Sequence, residues 1–110
     1  MTKYMVLYRS STPPSEQMGN MSPEQAKEGM EAWMTWAGKA GSAIVDLGSP
    51  LGAVGNVGKA GPSGWPIGGF SILEADSVDG VKKVLDDHPQ LSMPGEASIE
   101  ILEFLPVPGM

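Results

Sequence analysis

"GGFSILEADSVDGVKKVLDDHP" (residues 68–89) changes its periodicity halfway. Its first part, "GGFSILEA" (68–75), is short and apolar and reads as a strand. Its second part, "DSVDGVKKVLDDH" (76–88), sets Val81, Val84 and Leu85 at helical spacing behind a cap at Asp76 or Ser77. Pro89 disfavours helical geometry at His88, so the helix ends there. The stretch is therefore a strand feeding a helix, and the fold depends on whether the rest of the chain repeats that unit.

It does. Upstream, "KYMVLYR" (3–9) reads as a strand with Tyr4, Val6 and Tyr8 on one face and Met5 and Leu7 on the other. A loop, "SSTPPSEQMGN" (10–20), leads into "MSPEQAKEGMEAWMTWAGKAG" (21–41), a helix by its grammar. Ser22 is the N-cap, Pro23 takes the first helical position, Gln25 completes a capping box, and Gly41 supplies the stop. Ala26, Met30, Trp33, Ala37 and Ala40 form one apolar stripe, with Met34 and Trp36 beside it. "SAIVDLG" (42–48) is the next strand, with Ile44 and Asp46 expected on one face and Val45 and Leu47 on the other. Downstream of residue 89, "EASIEILEFL" (96–105) is the last strand, and the proline-bearing tail "PVPGM" does not extend it. The order β-α-β, long connection, β-α-β predicts one α+β domain over residues 1–110. Its fold class is ferredoxin-like βαββαβ, a four-stranded antiparallel sheet with two helices on one face. The other face is also apolar, and its simplest cover is a second copy of the same sheet.

The pattern "KYMVLYR … MSPEQ … AWMTWAGKAGSAIVDLGSPL … GGFSILEADSVDGVKKVLDDHP … SIEILEFLPV" resembles the YCII-related (DGPF-like) family, excepting residues 10–20 and 52–66. The resemblance implies a homodimeric α+β barrel, with a cleft between sheet and helices in each subunit and a His–Asp pair in that cleft. This chain departs from the pattern. Residues 23–41 contain no histidine, where those relatives carry theirs, and the DGPF tetrapeptide is absent, so no catalytic residue is carried across.

The connection at about 49–67 includes "GAVGNVGKAGPSGWP" (52–66), with glycine at every third place. Gly58-Lys59-Ala60 lacks both the hydroxyl and the spacing of a phosphate-binding loop. Five triplets do not make collagen. A long loop of this kind is either a lid, anchored by Trp65, or an arm without a site.

Composition narrows the chemistry. The chain has no cysteine and one histidine, which argues against a transition-metal centre. Haem would have to be held by His88, and nothing else supports it, so no cofactor is expected. Residues 1–68 carry five acids and five bases, and residues 69–110 carry eight acids and two bases, which gives the net charge of −6. The seven Lys and Arg are scattered, so neither nucleic acid nor an anionic membrane is expected as a partner. The N-terminal apolar run is too short for a signal peptide or a membrane span, which points to the cytoplasm.

The candidate catalytic residues are His88 and Asp46. His88 is either a helix-end charge, kept protonated by the dipole and by Asp86 and Asp87, or a general acid or base at the edge of a cleft. Asp46 is either its partner or a strand-end acid facing water. Tyr4, Tyr8, Trp33, Trp36 and Trp65 are the candidate ligand-binding residues. Met18, Met21, Met30 and Met34 crowd the same region, either as packing or as the wall of an apolar cleft. Two functions stay open at this point: a small-molecule-binding protein with cofactor-free acid–base chemistry, such as isomerisation or dehydration, or a non-catalytic ligand-sensing or protein-interaction module.

Overall fold

The computed structural model describes residues 1–11, 19, 21–59, 64–92 and 96–109. Met18, residues 60–63 of the glycine-rich segment and most of the loop at 10–20 lie outside them. Strand β1 (Thr2–Ser10) alternates as its sequence predicts: Tyr4, Val6, Tyr8 and Ser10 are buried, and Met5, Leu7 and Arg9 are half-buried on the opposite row. The other elements are α1 (Pro23–Ala40), a 3-10 turn (Gly41–Ala43), β2 (Ile44–Pro50), β3 (Ile67–Ala75), α2 (Val78–Leu85), a second 3-10 turn (Pro89–Ser92) and β4 (Ala97–Glu103). The sheet order is β2-β3-β1-β4, and every neighbouring pair is antiparallel. This is the ferredoxin-like α+β arrangement, with both helices on one face.

Register places the core. Tyr4 lies opposite Leu73, Val6 opposite Ser71 and Ile101, and Tyr8 opposite Gly69 and Ile99. These inward rows meet Trp36 from α1 and Val81 and Leu85 from α2. The outward rows bring Met5, Leu7, Phe70, Ile72 and Leu102 together on the face that neither α1 nor α2 covers. The shortest dimension of the molecule is 19 Å, which suits one sheet and one helix layer.

Helix α1 starts as its residues dictate. The Gln25 N–H donates to Ser22 Oγ at 3.1 Å, and the Ser22 N–H donates to Gln25 Oε1 at 3.0 Å. Its expected apolar stripe is only half used. Residues 23–32 are all exposed, including Ala26 and Met30, and packing begins at Trp33. The reason is length. An 18-residue helix is about 27 Å long and its eight-residue neighbour about 12 Å, so α2 flanks only part of it.

Strand β2 corrects the expected faces. Its pairing with β3 is irregular between Ile44 and Asp46 and again between Asp46 and Ser49. The first bulge breaks the period of two, so Ile44 and Leu47 both pack on the core, while Asp46 sits exposed opposite Ile72. Gly48 makes the second irregularity possible. Its φ is +83°, and a Cβ there would collide with the Phe70 carbonyl oxygen. Gly48→Ala is therefore expected to lower stability by about 1–3 kcal/mol, read as a lower urea midpoint at unchanged slope. Gly52→Ala, where a Cβ meets open space, is the control.

Candidate ligand site at His88

Beyond α2 the chain bends inward. The His88 N–H donates to the Leu85 carbonyl at 3.1 Å, and the Leu91 N–H donates to the His88 carbonyl at 3.0 Å. This bend, with Pro89 starting a 3-10 turn, drives the His88 side chain under the sheet, where it is 1% exposed. The expectation of a protonated helix-end charge is thereby overturned. Burial pulls the imidazole down to about pH 4, and the attraction of Asp87 offsets this only in part. Asp87 itself faces solvent, where a hydrogen bond from Lys39 at 2.9 Å holds its carboxyl below the usual range.

Three aromatic rings enclose His88. Tyr8 stacks on it at 4.8 Å between centroids, with an interplanar angle of 25°. Trp33 stands perpendicular at 4.5 Å, and Trp36 crosses at 4.3 Å. Trp33 also meets Tyr8 edge to face at 5.0 Å. Trp36 is fixed, because its Nε1–H donates to the Val84 carbonyl at 2.8 Å. Tyr8 is fixed too: its hydroxyl donates to Ser71 Oγ at 2.7 Å, and Ser71 Oγ donates to the Leu47 carbonyl at 2.7 Å. Burial pushes the Tyr8 phenol up to about 12, so it stays protonated, with its proton committed to Ser71.

The tautomer of His88 follows from its contacts. Nδ1 accepts the Gln90 N–H at 2.9 Å, so the proton of the neutral ring is on Nε2. That Nε2–H is buried and has no hydrogen-bond partner among the described residues. Gln90 is itself buried and held, its side chain donating to the Arg9 carbonyl at 3.0 Å. The arrangement thus offers one unspent donor inside an aromatic cage. It does not offer a ready base, because a lone pair on Nε2 would put an Nδ1–H against the Gln90 N–H.

Of the residues expected in the site, the structure brings together His88, Tyr8, Trp33 and Trp36. Tyr4 is buried nearby in the same inward row. Asp46 is not part of the group: it is exposed, and its Oδ1 accepts the Gly48 N–H at 2.8 Å in a local turn. The bulge between Ile44 and Asp46 that turns it outward takes it away from His88, so the expected pair does not form. Trp65 is also elsewhere, 37% exposed, its carbonyl accepting from Arg9 Nη1 at 2.7 Å. Arg9 belongs to the outward row and also bonds Glu100 at 2.8 Å. The described loop residues 51–59 are all exposed. Sequence reasoning does not find Ser71 or Gln90. Ser71 does leave a signal, a polar residue on the inward row between Gly69 and Leu73.

Concavities lie elsewhere among the described residues. One of about 680 Å³ is lined by Ala40, Ala43, Glu74, Asp76, Ser77 and Lys83 among others, and one of about 260 Å³ by Tyr4, Val78, Ile101 and Glu103. His88, Trp33 and Trp36 line neither. Among the described residues there is no group of three or more residues that could hold a metal, and no helix long and apolar enough to cross a membrane.

No family model matches the chain, and no curated protein matches it. Among solved structures it is similar to the 5-chloro-2-hydroxyhydroquinone dehydrochlorinase of Burkholderia phenoliruptrix AC1100, determined in complex with 2,5-dihydroxybenzoquinone. The identity is 20%, the match covers 88% of this chain and 90% of that one, and the TM-score is 0.46. No residue role is transferred from it.

Proposed function

We propose that the protein binds a small, flat organic molecule between α1 and the sheet beside His88, and that it works as a pair of chains joined through their open sheet faces. The observation that carries the ligand reading is the Nε2–H of His88, buried among rings with no acceptor among the described residues. A buried donor left unsatisfied costs about 1–3 kcal/mol, and a ligand oxygen that accepts it recovers that cost. The surrounding indole and phenol rings suit a planar apolar body, with one polar group to orient it. His88 is the donor, Trp36 holds the ring, and Tyr8 forms the floor. The chemistry this set can perform without a cofactor is polarisation of a carbonyl by the neutral imidazole.

A second reading is favoured by the packing itself. The rings fill the space, so the site is closed until something displaces one of them, which suits a ligand sensor as well as an enzyme. Both readings share one test. Thermal midpoints at pH 7.5 are measured against planar aromatic ketones and keto acids, for the wild type and for His88→Phe, which keeps a ring and removes the donor. A compound is expected to stabilise the wild type in a saturable way and to bind His88→Phe about tenfold or more weakly. Equal binding to both, or no stabilising compound at all, reduces His88 to a packing residue. Turnover of the bound compound then separates enzyme from sensor.

A further inference from the structure

We infer that the Trp33 indole is a displaceable plug occupying the ligand's own place, and that the ligand class is a neutral planar carbonyl compound about the size of an indole. This rests on the reading of His88 as a ligand donor and adds where the ligand sits, what it displaces and what it must carry.

The argument starts from unequal restraint. Around His88, Tyr8 is held through Ser71, and Trp36 is held through the Val84 carbonyl. His88 itself is pinned by Gln90. The Trp33 indole has no hydrogen bond among the described residues and is only partly buried. It is also the first residue of α1 to pack, with residues 23–32 exposed before it, so nothing described on that side backs it. Of the rings around the imidazole, it alone can leave without breaking a described hydrogen bond.

Its departure exposes a defined slot. Trp33 meets the ring of Tyr8 at 5.0 Å and that of His88 at 4.5 Å, so a planar guest of equal size would inherit both contacts. The Nδ1 edge of His88 is taken by Gln90, one face by Tyr8, and Trp36 stays at 4.3 Å, so on this inference the unpartnered Nε2–H goes to a guest in the place of Trp33. A ring cage without a cation disfavours a bare anion, and a donor that already holds its proton does not suit an ammonium. A carbonyl oxygen on a planar body satisfies both conditions.

Trp33→Gly tests this with two probes of one shape, 1-indanone and indane, of which only the first carries an acceptor. Trp33→Gly is expected to bind 1-indanone at least about tenfold more tightly than indane. That preference is expected to vanish in Trp33→Gly/His88→Phe. Equal affinity for the two probes, or binding of neither by the folded variant, overturns the inference. Should Trp33→Gly fail to fold, the wild-type chain labelled with 5-fluorotryptophan gives the same answer. Addition of 1-indanone is then expected to move the Trp33 fluorine resonance more than that of Trp36. A ligand that stabilises the wild type without moving the Trp33 resonance overturns the plug and leaves the His88 reading standing.

Discussion

Between about pH 6.5 and pH 4 the wild-type protein is expected to lose on the order of 3 kcal/mol of stability that His88→Phe does not lose. The sign follows from which state binds the proton. In the unfolded chain the imidazole titrates near 6.5, and in the fold burial lowers it to about 4. Above 6.5 both states hold a neutral ring, and the stability is complete. As pH falls through the window the unfolded chain gains a proton that the fold refuses, and the equilibrium shifts toward unfolding. Below about 4 the folded ring is charged as well, and the loss levels off. A domain of this size has roughly 5–15 kcal/mol in total, so the effect is a large share of it. Asp87 acts elsewhere: its contribution is present above about 3.8 and is lost below, outside this window. The other carboxylates are common to both proteins and cancel in the comparison. Urea unfolding at stepped pH and fixed protein concentration gives the two profiles. Parallel profiles would mean that the imidazole is solvated in the fold and that the cage does not exist.

The parts of this fold that can be read from sequence are those where one local rule acts alone. Ser22, Pro23 and Gln25 announce the start of α1, and the structure contains both capping bonds. The alternation of β1 sorts Tyr4, Val6 and Tyr8 from Met5 and Leu7 correctly, because that strand is regular where it carries them. The rules fail where the backbone departs from its period. The bulge between Ile44 and Asp46 turns Asp46 away from the side of Ile44, and Gly48 hints only at the second bulge beyond it. His88 defeats local reasoning for a related cause. The helix ends at Leu85, three residues before the end that Pro89 marks, and the direction of the chain beyond it is set by long-range packing against Tyr8, Trp33 and Trp36. Dipole and neighbouring-charge arguments assume an exposed ring, and a ring 1% exposed is governed by desolvation instead. The tautomer is out of reach altogether, since it hangs on one N–H of Gln90.

Ile72→Lys is expected to turn a two-chain species into single chains. The face it occupies is central to the proposed pairing: Ile72 lies opposite Met5 on β1 and Asp46 on β2, with Leu7 and Phe70 beside it. No described helix covers these side chains, and the apolar ones are only half-buried in the single chain. A twin sheet is the cover that fits, because a two-fold contact needs a patch complementary to itself. This one has an apolar centre with charges of both signs around it, Lys3 and Arg9 against Asp46, Glu74 and Glu100. Elsewhere a net charge of −6 per chain opposes association, so the near balance on this face matters. Burying an isoleucine contributes about 1.5–3 kcal/mol, and a two-fold contact loses that twice. The dissociation constant should therefore rise at least about a hundredfold, before the cost of burying two ammonium groups is added. The isolated fold should tolerate the change, since the introduced ammonium would be exposed with Asp46 opposite to receive it. Sedimentation over a dilution series, with far-UV circular dichroism as the folding check, reads the result. A wild type that runs as one chain at tens of micromolar, or a folded Ile72→Lys that runs as two, would remove the twin sheet. The His88 cage, built on the other face from one chain's own residues, would be untouched by that outcome.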